Sequence, residues 1–232
     1  MASTYRILRY TSADKMCDLI SDNYHILLVL NRFSISLGFK DFTLGQVCDN
    51  YNLDSNTLLA VVNLLISGDK QGAIEDARHI ELVALISYLK RSHAYFVEYK
   101  LPSIREKLQK AIVGDDAVSL AVLSYYDEYI TEVERHMEHE EGVVFKYVER
   151  LLDGVSSKDF SIDLFSEHHE GMEAKLSELK SIIIKYFPAE TTNDLSSVLL
   201  EIFDCEADLS SHSEIEDHLL IPAIRRAEQE LK

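Results

Sequence analysis

The sequence predicts an all-α protein: an antiparallel up-and-down four-helix bundle preceded by a small helical N-terminal domain. Three observations carry this expectation. Only eight glycines and three prolines occur in 232 residues, too few for the many tight turns of a β fold. The C-terminal two-thirds reads as long segments whose apolar residues recur at steps of three and four, the spacing of one helix face. The connections between these segments are short, as between antiparallel neighbours in a bundle.

Taken in order, residues 13–24 and 26–37 read as short helices. Thr43-Leu44-Gly45-Gln46 has the form of a capping box and opens a helix through Tyr51. Asp54 or Ser55 caps another, which carries Leu58, Val61, Val62 and Leu65. Ser67-Gly68-Asp69-Lys70-Gln71-Gly72 then separates two periodic stretches with glycines and polar residues. This places a small helical domain over residues 1–70 and the bundle over 75–232. The first long helix is expected over 77–108, with Leu82, Ile86, Leu89, His93 and Phe96 on one stripe and Pro102 kinking or dividing it. The second covers 117–152, the third 159–186 and the fourth 193–227, with Pro222 near its end.

Composition narrows the function classes. The formal charge of −17 argues against nucleic acid or anionic lipid as a partner, because a phosphate-binding footprint is basic. Residues 1–72 hold six Lys/Arg and seven Asp/Glu, so nearly all the excess lies in the bundle; an acidic domain suits a protein that handles cations. No apolar run reaches the length of a signal peptide or membrane span. The three cysteines, Cys17, Cys48 and Cys205, are odd in number and widely spaced. A reduced, cytoplasmic setting is the expectation.

Two segments break their own apolar stripes with the same polar pair. Val118, Val122, Tyr125, Tyr129, Val133, His136, Glu140, Val143 and Tyr147 form one stripe, and Val198, Ile202, Cys205, Leu209, His212, Glu216 and Leu219 the other. A histidine and a glutamate four residues apart share one helix face. With His93 on the first helix and His168 or His169 on the third, four imidazoles and two carboxylates converge on one interior. Desolvated glutamates cost several kcal/mol each unless neutralised, and no basic residue occupies these levels of the inward stripes. A dinuclear cation site resolves this, with carboxylates bridging and imidazoles terminal. Nitrogen and oxygen donors without thiolate suit iron, manganese or zinc. The duller reading, a structural bundle with no metal, leaves two interior carboxylates unexplained. Cys205 reads as buried packing, with a reactive thiol as the lesser alternative, and Tyr125 and Tyr129 both read as core, the alternative being that one of them hydrogen-bonds to a ligand residue or lines the ligand's route. His139 and His218 read as solvated.

The combined pattern resembles the hemerythrin-like family of HHE cation-binding bundles, and most closely the repair-of-iron-centres proteins, regulators of cell morphogenesis and nitric-oxide signalling. It rests on His136-x-x-x-Glu140-Glu141-x-x-x-Phe145, Ser166-Glu167-His168, His212-x-x-x-Glu216-x-x-x-x-x-Pro222 and the preceding His93. The resemblance selects His168 over His169. It implies two non-haem iron ions, oxo- or hydroxo-bridged, with His93, His136, His168 and His212 as terminal ligands and Glu140 and Glu216 as bridges. It further implies O2 or NO as small ligands, and repair of iron–sulfur centres, or iron donation to apo iron–sulfur proteins, under nitrosative or oxidative stress. Where the N-terminal domain of those proteins carries adjacent cysteines, this chain has Leu37-Gly38-Phe39. That departure motivates an alternative, an O2- or NO-sensing module that signals through the N-terminal helices to a partner protein. Whether the protein turns over a substrate is left open by the sequence, as is its oligomeric state, a dimer included.

Overall fold

A computed structural model describes residues 9–112, 117–155, 162, 170–187 and 193–231, with side chains described from 175 onward in the third of these helical stretches. Among the described residues every extended element is helical; the single exception to helix and loop is an isolated antiparallel bridge between Lys15 and Thr43. Cα packing divides the described residues into two compact units. One takes in those of Met1–Arg91, Arg150–Ser156 and Glu214–Lys232, the other those of Ser92–Glu149 and Ser157–Ser213. This division does not fall at residues 70–75.

In the first unit, α1 (Met16–Asp22), α2 (Ile26–Arg32), α3 (Leu44–Tyr51), α4 (Ser55–Ser67) and α5 (Lys70–Asp76) follow in sequence. The capping box at Thr43 forms: its side chain accepts from the Gln46 amide while the Gln46 side chain accepts from the Thr43 amide. Asp54, rather than Ser55, caps α4 by accepting from the Thr57 amide and hydroxyl. On α4 Leu58, Val61 and Val62 are buried as expected, together with Thr57, Ala60, Asn63 and Leu64, while Leu65 is only partly covered. The polar stretch expected as a boundary instead starts a helix, because Asp69 accepts from the Gly72 amide and caps α5. The C-terminal end of the last helix packs into this unit: Arg226 donates to the Ala77 and Arg78 carbonyls, and Lys70 Nζ lies 3.2 Å from Glu214.

The apolar core of the bundle lies in the second unit, while Leu82–Arg91, Arg150–Leu152 and the stretch from Glu214 onward of its long helices are counted with the first. The first long helix is α6 (Leu82–Ala94), a π-helical segment π1 (Tyr95–Lys100) and α7 (Leu101–Ala111). The second is α8 (Ala117–His139), π2 (Glu140–Phe145) and α9 (Lys146–Leu152). The third is described as α10 (Glu170–Tyr186), and the fourth is α11 (Asn193–Ile215), π3 (Glu216–Leu220) and α12 (Ile221–Glu230). Phe96, Leu108, Val122, Tyr126, Tyr129, Val133, Leu176, Leu179, Val198 and Ile202 share one apolar core, so all four helices bury a stripe against each other. Neighbours run antiparallel. Arg105 pairs with Asp127 while His93 meets Glu141; Lys175 pairs with Glu132 while Tyr125 donates to Glu178; Lys107 pairs with Glu201 while Phe96 meets His212. In each case residue numbers fall on one helix as they rise on the next.

The first helix begins at Leu82 rather than Ala77, and its proline divides it without ending it. Proline lacks the N–H that would bond the carbonyl four residues back, and its ring crowds that carbonyl. Both Pro102 and Pro222 sit at the second residue of an α-helix that directly follows a π segment, where the wider i→i+5 winding lets the chain continue. The π2 segment contains Gly142 instead and shifts the stripe by one residue. Val144 is therefore buried, whereas Val143, expected inside, is 38% exposed.

Two expectations follow for the first unit. A Cβ on Gly72 would collide with the Asp69 carboxylate that caps α5 and lie 2.8 Å from Arg9 Nη1. Gly72→Ala should therefore lower the unfolding free energy measured by urea titration by about 1 kcal/mol, the value of a lost cap, although alanine is the better helix former. Burial pushes the Cys48 thiol up to about 11, so at pH 8 only about one in a thousand is thiolate, the reactive form. Alkylation of the native protein at pH 8, mapped by mass spectrometry, should label the part-exposed Cys17 first and leave the buried Cys48 and Cys205 largely unmodified.

Candidate metal centre

His93 lies near the end of α6, two residues before the start of π1. His136 is in the last turn of α8 and Glu140 opens π2; His212 is in the last turn of α11 and Glu216 opens π3. Each polar side chain thus stands at a change from α to π winding. Such π turns recur at functional sites because they re-aim side chains that a regular helix would carry past the target.

His93, Glu140, His212 and Glu216 are all buried, at 2%, 0%, 3% and 0% exposure. One donor atom from each lies within 4.8 Å of the others. His93 Nε2 is 3.1 Å from Glu140 Oε2 and 3.2 Å from His212 Nε2. His136 Nε2 is 2.8 Å from the other Glu140 oxygen, with 13% of its side chain exposed. Five of the six residues expected as ligands are therefore gathered on three helices. His168 lies outside the described residues, as does His169. His139, expected to be solvated, is exposed, whereas His218 is half-buried because π3 turns it partly inward.

Aromatic rings close the site. Phe145 stacks on His93 at 5.4 Å between ring centroids, and Phe96 meets His212 edge-on at 6.0 Å. Next to His136 and His212 is a cavity of about 10 Å³, lined by Tyr129, Met137, Leu176, Glu206, Leu209 and Ser213. Its volume is about that of one water-sized sphere. Tyr129 rather than Tyr125 faces it; the Tyr125 hydroxyl turns away to Glu178. Cys205 is packed in the core.

Sequence reasoning missed two features. Lys180 is a buried lysine on an inward stripe, paired with Glu206 on the cavity wall and set over the Phe203 ring at 4.2 Å. Its place between Leu176 and Ile183 on the buried stripe of α10 was the available signal. Glu141 accepts from His93 Nδ1 at 3.0 Å; adjacent to an inward glutamate, it reads as an outward residue in any regular helix.

The donor set fits a cation. An ionised Glu141 is an acceptor only, and its place 3.0 Å from Nδ1 fits the His93 tautomer that turns a lone pair on Nε2 toward Glu140 and His212. Lone pairs and carboxylate oxygens then face one another out of water, where a positive ion removes their repulsion and offsets the several kcal/mol of desolvation per carboxylate. Nitrogen and oxygen ligands held about 2.0–2.2 Å from an ion stand up to about 4.4 Å apart, close to the span of this cluster.

The sequence model of the hemerythrin HHE cation-binding domain matches residues 84–224, a span that contains His93, His136, Glu140, His212 and Glu216. The chain belongs to the hemerythrin HHE cation-binding family. Hemerythrin domains bind cations, iron typically, and the buried histidine–glutamate cluster of this one is the place that can hold a metal. No curated protein matches the sequence. Among the described residues, no helix of this hemerythrin-domain protein is long and apolar enough to cross a membrane.

A ligand that binds only the folded state at 100 times its Kd adds about 2.7 kcal/mol of stability, or roughly 5–10 °C for a domain of this size. Adding Co(II) to chelator-treated protein should raise its thermal midpoint by that amount. Glu140→Ala should abolish the rise, and substitution of the exposed His139 should leave it intact.

Proposed function

We propose that this hemerythrin-domain protein is a non-haem di-iron protein that binds O2 or NO and acts in the repair of iron–sulfur centres, or in iron donation to them, under nitrosative or oxidative stress. The observation that supports it most is the convergence of His93, Glu140, His212 and Glu216, buried and within 4.8 Å, with His136 on Glu140. In this reading His93, His136, His168 and His212 would hold two iron ions together with the carboxylates of Glu140 and Glu216, and the bound iron would supply reversible one-electron chemistry.

The chain's own residues define what reaches the cluster. Phe145 and Phe96 cover the imidazoles of His93 and His212 and keep bulk water off that side. The cavity beside His136 and His212 has room for one small molecule, which favours a diatomic ligand over a bulky substrate. Its wall is mostly apolar, with Met137, Leu176 and Leu209, and Glu206 on it is held by Lys180. O2 and NO are uncharged, and an apolar route suits them better than it suits ions. The expected clients are apo iron–sulfur proteins, to which a ferrous ion held by these residues would be donated. Thiol chemistry is not supplied at Leu37–Phe39, where this chain has no cysteine, so donation in this reading rests on the carboxylate–imidazole site alone.

Protein isolated anaerobically from iron-replete cells should contain about two iron atoms per chain. It should develop near-ultraviolet and visible charge-transfer bands on exposure to O2, and distinct ones with NO. Iron-free isolates that take up no ferrous ion, or loaded protein whose spectrum responds to neither gas, would refute the assignment. Loss of iron in Glu216→Ala, with retention in His139→Ala, would tie the bands to this cluster.

A further inference from the structure

One short segment of the second helix meets His93 on three sides. From π2, Glu140 Oε2 lies 3.1 Å from His93 Nε2, Glu141 Oε1 lies 3.0 Å from His93 Nδ1, and the Phe145 ring stacks on the imidazole with its plane tilted by 17°. Consecutive residues thus address opposite edges of one ring, while a third covers its face. A regular α-helix, at about 3.6 residues per turn, swings residue i+5 well past the direction of i+1. The wider i→i+5 winding brings residue i+5 back between the directions of i and i+1, which is where a ring clamped by Glu140 and Glu141 offers its face to Phe145.

The two glutamates differ in surroundings. Glu140 is wholly buried, whereas 45% of the Glu141 side chain is exposed. Glu141 therefore stays hydrated on its outer side while it accepts from Nδ1. An acceptor on Nδ1 selects the tautomer whose lone pair is on Nε2, the nitrogen that faces Glu140 and His212. Carboxylates placed behind metal-binding imidazoles fix both tautomer and ring orientation and raise donor strength.

We infer that Glu141 is a positioning residue: through the Nδ1 bond it holds His93 in the tautomer and orientation in which Nε2 can bind a cation, with the π2 turn supplying Glu140, Glu141 and Phe145 as one clamp. The inference rests on the metal-binding reading of the cluster for its purpose, but the clamp can be measured separately, in chelator-treated protein. Glu141 touches no donor of the cluster other than His93 among the contacts described, and its half-exposed position makes its replacement compatible with folding.

The test uses full-length, chelator-treated protein and two measurements. Long-range proton–nitrogen NMR of ring-labelled histidine, with the His93 signals identified by their loss in His93→Asn, reports the tautomer without metal. Anaerobic Co(II) titration followed by visible absorption reports affinity. Wild type should show a single Nδ1–H tautomer for His93. Glu141→Ala should give a mixture of tautomers and a Co(II) dissociation constant 10- to 100-fold higher. Glu141→Gln, whose amide oxygen can accept the same bond, should recover most of the affinity. An unchanged tautomer, or unchanged affinity, in Glu141→Ala overturns the assignment. Wild-type protein that takes up no Co(II) instead removes the metal-centre reading, and the tautomer comparison still decides the clamp.

Discussion

Two carboxylates without access to water, Glu140 and Glu216, are the constraint around which the rest of this molecule is arranged. Each would cost several kcal/mol if left as an isolated ion in the core. Hydrophobic burial along the four helices overcomes that cost collectively, and the imidazoles of His93, His136 and His212 answer it locally. The same arrangement is a liability without a cation and a ligand set with one. Removing a glutamate would relax the core and remove the chemistry together, the trade expected where stability is given up for function.

The π segments are the backbone's part of that arrangement. Three occur among the described residues, and each begins at, or one residue beyond the neighbour of, a residue of the cluster. Two precede prolines, so a single local feature both accommodates a residue that a helix interior rejects and rotates the next turn. In the second helix the rotation moves the buried position from Val143 to Val144 and brings Glu141, an outward residue by periodicity, onto His93. A one-residue register shift therefore has chemical consequences as well as packing ones.

The unit that contains the N-terminal helices is stabilised by different means. Side-chain caps at Thr43, Asp54 and Asp69 start three consecutive helices, each contributing on the order of 1 kcal/mol. Asn63 both accepts from and donates to the backbone of Tyr10, which pins the chain's entry to α4, and Arg9 pairs with Asp76. Its buried Cys48, with the thiol proton held by desolvation, is a packing residue.

What the sequence determined by itself is what depends on local spacing. Steps of three and four placed His93, Glu140, His212 and Glu216 on buried faces, because amphipathic periodicity records which side of a helix meets the core. Capping motifs at Thr43 and Asp54 were legible for the same reason: donor and acceptor lie within four residues. Tertiary structure alone decided three things. Pro102 divides its helix without ending it, since whether a π turn can absorb a proline depends on packing around it. Asp69, within the polar stretch 67–72, caps a helix, and the compact units are set by contacts distant in sequence. Glu141 reaches His93 from another helix, 48 residues away, and no pattern within one helix can encode which ring its neighbour will offer.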